Sequence, residues 1–219
     1  MDSLSVMTDV VQSQTNLFSI AAKGGFLMII LLVISVLAIA VIIERFIKLK
    51  KAKMKEREFL SEIYNYISQN YLEKAIQLCE QKESIISDVI LKALEVTDRN
   101  PEETKEVVES AVRKHIHILE KNLGTLATFA AVAPLIGFLG TVTGMVKVFM
   151  KIGETGGGVD ISLLAGGIWE ALITTIGGLT VGIITILFYN FFTGKIEELA
   201  HDLEQDTNEF LQNYRRIQK

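Results

Sequence analysis

The chain has 219 residues, 49% of them hydrophobic, with 22 Lys+Arg against 26 Asp+Glu and a formal net charge of −4. That acidic balance leaves no basic face and argues against nucleic acid as a partner. With a single cysteine, Cys79, there is no disulfide framework and no thiolate metal site, so Cys79 is read as a small apolar filler in a reducing compartment.

Residues 1–23 carry Asp2, Asp9 and Lys23 and lead into an uncharged run from Gly24 to Ile43. About 20 apolar residues in a helix cover a hydrocarbon core of about 30 Å. The run is too long for the apolar core of a signal peptide. Residues 24–44 are therefore predicted as a retained first span behind an external segment, 1–23. Arg45, Lys48, Lys50, Lys51, Lys53, Lys55 and Arg57 crowd its far flank, against Lys23 alone on the near side. By the positive-inside rule the N-terminus lies outside and the residues after 44 enter the cytoplasm. Beside a span, such a run sets topology and meets anionic lipid.

Residues 45–121 read as a cytoplasmic helical domain. Leu60, Ile63 and Ile67 recur at helical spacing, as do Leu72, Ile76 and Cys79, then Ile86, Val89, Ile90, Ala93 and Leu94. Asn70 and the stretch 81–84 mark breaks. Asn100 is a predicted N-cap, followed by Pro101 in the first turn and Glu103 placed for a capping box. No breaker follows, so that helix is expected to run on unbroken through the second span, 122–147. His115 and His117 point to nearly opposite helix faces and cannot share a metal. No metal or cofactor site is expected.

The loop 148–161 contains Gly153, Gly156, Gly157 and Gly158 but no GK[ST] sequence and no preceding strand, which argues against a phosphate cradle. The third span, 162–194, leads into a cytoplasmic C-terminal helix, 195–219. There Ile196, Leu203, Phe210 and Ile217 recur every seventh residue, with Leu199 and Tyr214 alongside. Such a seam suits a partner helix, from this chain or from a second copy. The fold class is an all-α integral membrane protein with three transmembrane helices, spans two and three extending into the cytoplasmic helical domain. No nucleophile–base–acid set occurs, so an enzyme is not indicated.

The spans differ in kind. Span one is Leu, Ile and Val, suited to lipid. Span two holds Gly137, Gly140 and Gly144 with Thr141 and Thr143; span three holds Gly178 and Gly182 with Thr174, Thr175, Thr180 and Thr185. The pairs Gly140/Gly144 and Gly178/Gly182 let helix backbones approach closely. Glu170 needs a different explanation. A charged carboxylate at the centre of a lone membrane helix costs on the order of 3 kcal/mol, so it faces protein or water. Its neighbour Trp169 also suits the membrane interface. Centring the two spans sets Thr141 level with Glu170 and Thr175 level with Ile136. On an ideal helix Thr174, not Thr175, shares the face of Glu170. A single carboxylate is too little to relay protons across a membrane, which calls for a second titratable group from a partner.

The run Ala133–Met145 (APLIGFLGTVTGM) resembles the second-span signature of the MotA/TolQ/ExbB proton-channel family, and Gly167–Leu179 (GIWEALITTIGGL) resembles its third. Three spans rather than four favour the TolQ/ExbB branch. The resemblance implies a homopentamer in the bacterial inner membrane, N-terminus periplasmic and C-terminus cytoplasmic. Spans two and three would enclose an ExbD/TolR-like single-span dimer whose aspartate is the main proton carrier. A TonB- or TolA-like protein is a further implied partner, with proton motive force driving TonB-dependent transport or Tol–Pal work on the outer membrane. By matching position, Thr141 and Thr175 correspond to the family's pore threonines and Glu170 to its span-three glutamate. Whether Thr174 or Thr175 lines the path stays open. So do a sodium-driven stator, since threonine oxygens also suit Na⁺, and a non-conducting scaffold that binds a cytoplasmic partner.

Overall fold

Peptide groups in hydrocarbon have no water to bond, so a long apolar run must satisfy its backbone internally, as a helix. The computed structural model describes residues 25–52, 56–82, 84–96, 100–154 and 161–217, and every regular element among them is helical. The elements are α1 (Gly25–Ala52), α2 (Glu56–Ser68), α3 (Leu72–Gln81), α4 (Ile85–Val96), α5 (Pro101–Glu120), α6 (Leu123–Glu154) and α7 (Ile161–Ile217). Three stretches are long and apolar enough to cross a membrane, within α1, α5–α6 and α7. The protein is an all-α membrane protein. The external segment 1–23, Lys53, Lys55 and the loop residues 155–160 lie outside the described residues.

The chain divides into two compact units. One comprises the described residues up to Ile39 together with Thr125–Leu187. Its outward surface is apolar: Phe26, Ile29, Val33 and Val36 on α1, Leu135, Phe138 and Val142 on α6, and Leu172, Ile176, Leu179, Ile183 and Leu187 on α7 are all exposed. In water such a surface would be an aggregation liability; against lipid or further protein it is expected.

The other unit comprises Ala40–Gly124 and Phe188–Lys219. Here α2, α3, α4 and α5 pack in succession, burying Ile63, Ala75, Ile86, Val89, Ile90 and Ala93. The breaks fall where turn chemistry places them. Asn70 adopts φ 61, a left-handed conformation that asparagine tolerates better than most residues. Asn100 caps α5, its side chain accepting from the Glu102 N–H at 3.3 Å, with Pro101 in the first turn. Phe46 packs against Phe188, Phe191 and Phe192. Most of the C-terminal seam turns out to be internal: Ile196, Leu199, Leu203, Phe210 and Tyr214 are buried within the chain while Ile217 is exposed, and Phe210 stacks on Tyr64 of α2 with ring centroids 6.0 Å apart.

One expectation fails. The helix starting at Pro101 does not run unbroken into the second span, because the chain turns at Lys121–Asn122 and Asn122 adopts φ 69. The cause lies in α1. Arg45 is fully buried and donates through one guanidinium nitrogen to the Leu119 carbonyl at 2.6 Å, and through the other to Glu44 at 2.9 Å. Glu44 in turn accepts from the Asn122 amide at 3.0 Å. The guanidinium thus takes a carbonyl at the end of α5 that would otherwise lack a partner, and the carboxylate holds the turn.

Cys79 is buried, and burial, with the Glu80 carboxylate beside it, pushes its thiol up to about 12. It is therefore protonated at neutral pH and a poor nucleophile. Maleimide at about pH 8 should leave it unlabelled in the folded protein and label it after denaturation; rapid labelling of folded protein would mean the helices there open. Arg45→Met should cost about 1.5–3 kcal/mol, the worth of a charged hydrogen bond. That loss would read as a lower melting temperature in detergent, partly recovered by Arg45→Lys.

Candidate ion-path site

The seam between α6 and α7 is built from the glycines, and it fixes everything else at the site. A Cβ added at Gly178 would stand 2.5 Å from the Ala133 carbonyl oxygen and 2.8 Å from the Gly137 Cα. One at Gly137 would stand 2.9 Å from the Thr174 carbonyl oxygen, and one at Gly144 would stand 2.8 Å from the Ala171 Cβ. Gly140 lies directly against the Thr174 side chain. Gly182 faces the ring of Pro134, where a Cβ would come 2.5 Å from Cγ and 3.2 Å from the Ala130 carbonyl oxygen. That carbonyl is the one a proline at 134 deprives of its helical donor, and a residue without a Cβ leaves it uncrowded. Gly137, Gly140, Gly144, Gly178 and Gly182 thus all face the seam.

This packing pairs Glu170 differently from the alignment obtained by centring the spans. Glu170 is not level with Thr141. It meets Lys147, whose Nζ lies 3.4 Å from Oε1. Thr175 lies where depth alone put it, donating to the Gly137 carbonyl at 2.8 Å across the seam. Thr174 is 2% exposed and donates to Ala171 at 2.7 Å within its own helix. Thr141 is half-buried and donates back to Phe138 at 2.6 Å.

Glu170 also reaches the start of α1. A Cβ at Gly25, which has φ +66, would stand 2.7 Å from its Oε1. The carboxyl is about one-third exposed and opens on a cavity of about 530 Å³, lined among others by Lys147, Lys151, Glu154 and Gly167. Further along α7, Gly177 faces Met28 and Leu31 of α1, and Thr185 is buried. Glu170, Thr174, Gly177, Val181 and Thr185, which recur at helical spacing, thus lie largely on the inward packing face of α7. Lys147 and Gly25 escaped the sequence reading. The available signal was an acid and a base at matching distances from the hairpin turn, legible only once the register is known.

The description of the family whose model matches residues 80–205 is the MotA/TolQ/ExbB proton channel family. The chain belongs to this family. The match takes in the whole of the α6–α7 seam. Among relatives, an ExbB-like biopolymer transport protein of Synechocystis is 29% identical over 89% of this chain and 93% of its own length. A Methanothermobacter thermautotrophicus ExbB homolog is 28% identical over 83% of this chain and 64% of its own length. Biopolymer transport protein ExbB of Xanthomonas campestris is 39% identical over 44% of this chain and 40% of its own length. The chain thus spans nearly all of the first relative and less than two thirds of the other two. Family membership and three apolar helices make it a multi-pass inner-membrane protein of the ExbB-like branch, in a class that conducts ions rather than one defined by catalysis.

Gly178→Ala should disrupt the seam, because its new methyl meets backbone that cannot rotate away. Overpacking of this kind costs about 1–3 kcal/mol. Gly124→Ala is the control, since nothing lies within 4 Å of a Cβ there. Thermal unfolding in detergent should separate the two variants; equal stability would refute the close approach.

Proposed function

We propose that this chain is the wall-forming subunit of an ExbB-like proton channel that couples proton motive force to work on the outer membrane. Glu170 takes up protons near the outer end of the path. The observation that carries this reading is that Glu170, the one carboxylate in the apolar stretches of α6 and α7, opens on a cavity instead of being sealed among apolar side chains. Ionisable groups kept inside membrane spans at such cost serve ion pathways far more often than packing.

Further in, the path is lined by Thr141 and Thr175. Thr175 is favoured over Thr174 because it is half-buried whereas Thr174 is enclosed in the seam. Both lining hydroxyls spend their hydrogen on backbone carbonyls, so their oxygens keep lone pairs to accept from water or hold a cation. Hydroxyls do not titrate in this range, so the rest of the relay comes from elsewhere. We assign it to an aspartate of an ExbD/TolR-like single-span partner within a ring of copies of this chain, a pentamer. A TonB-like or TolA-like protein is the coupled client. The basic flank of α1 orients the N-terminus to the periplasm and the C-terminus to the cytoplasm.

Proton influx into vesicles carrying the assembled protein should fall about tenfold or more in Glu170→Gln, the scale of losing a proton-transfer group. Thr141→Ala should reduce it less. If both variants assemble and conduct as the parent does, the channel reading is wrong and a scaffold remains. Flux that follows a sodium gradient after the proton gradient is collapsed would replace the proton by sodium.

A further inference from the structure

We propose that Lys147 is a positioning residue for Glu170: it holds the carboxylate at the outer mouth of the hairpin, and proton uptake releases it toward the path. The inference rests on the reading of Glu170 as the proton-accepting group and adds a partner and an order of events to it.

The geometry carries it in three ways. First, the pair is placed rather than accidental. Gly144 packs on Ala171 and Gly167 on Val148, so close contacts lie on both sides of the Lys147–Glu170 contact and the helices cannot slide to avoid it. Second, space is kept for the carboxylate at the start of α1, where Gly25 presents no side chain to Oε1. The N–H groups of a first helical turn favour negative charge, so α1 and Lys147 act in the same direction. Third, the contact is open: the Lys147 side chain is 67% exposed, and both residues line the cavity, which leaves the carboxyl room to take a proton.

Among the described residues, the charged groups around Glu170 are few. From α6 come Lys147 and, around the same cavity, Lys151 and Glu154. Among its described residues α1 carries no ionisable side chain before Glu44, and the apolar part of α7 offers none besides Glu170 and Tyr189. When Glu170 takes a proton, its charge is cancelled and the ion pair ends. The lysine stays solvated in the cavity as an ammonium, and the neutral carboxyl is free to turn away from it and from α1. No other bond forms or breaks.

An exposed ion pair adds little to stability, so Lys147 variants should fold and the test can read position. Carbodiimides modify carboxyls in their protonated form. At neutral pH in membranes holding the full-length protein, hydrophobic carbodiimide labelling of Glu170, read by mass spectrometry, should rise roughly three- to tenfold in Lys147→Met. Removing a cation beside a carboxyl favours the protonated form that the reagent attacks. Lys147→Arg should label as the parent does, and Glu170→Gln should not label there. Unchanged labelling in Lys147→Met, or equal increases in the Met and Arg variants, would overturn the proposal. The channel reading stands or falls separately, on proton flux in Glu170→Gln.

Discussion

The α6–α7 seam rests on the absence of side chains. Gly137 and Gly178 bring two backbones so close that a methyl group would meet a carbonyl oxygen or a Cα at under 3 Å. In lipid this is how helices gain association energy, since apolar side chains gain nothing by leaving an apolar solvent. The approach also fixes the register. Once Gly144 faces Ala171 and Gly140 faces Thr174, the partners of Glu170 and Thr175 follow. A one-turn slip would set methyls and threonines against backbone.

The polar groups of the membrane unit are spent economically. Thr141, Thr174, Thr180 and Thr185 donate to carbonyls of their own helix, as hydroxyls in helices commonly do. Thr175 instead donates across the seam to Gly137, a bond worth about 0.6 kcal/mol on average between membrane helices. Glu170 is the exception: it meets the Lys147 ammonium and opens on a cavity. The exception coincides with the proposed proton-accepting group.

A comparable arrangement organises the other unit by different means. There the fixed point is a buried charge, Arg45, which joins the end of α1 to the last turn of α5 and, through Glu44, to Asn122. A buried guanidinium is costly unless it is bonded; here its two terminal nitrogens are, while Nε has no partner among the described residues, and the group lies at the turn before α6. His115 also finds a use unrelated to metals, meeting Asp88 of α4 at 2.6 Å.

By itself the sequence determined the helices, the three spans, the break at Asn70, the cap at Asn100, the glycine seam and the family, because these depend on local chemistry. Apolar length, turn propensity and small-residue spacing are written in contiguous residues. Only the tertiary structure decided the register of the hairpin, the break at Asn122 and the inward use of the C-terminal heptads. It also decided which threonine is enclosed and that Lys147 belongs with Glu170. Each of these depends on what stands opposite. Aligning facing helices by their centres does not tell which side chains meet, and only the packed seam sets the carboxylate of Glu170 beside the Lys147 ammonium instead of the Thr141 hydroxyl.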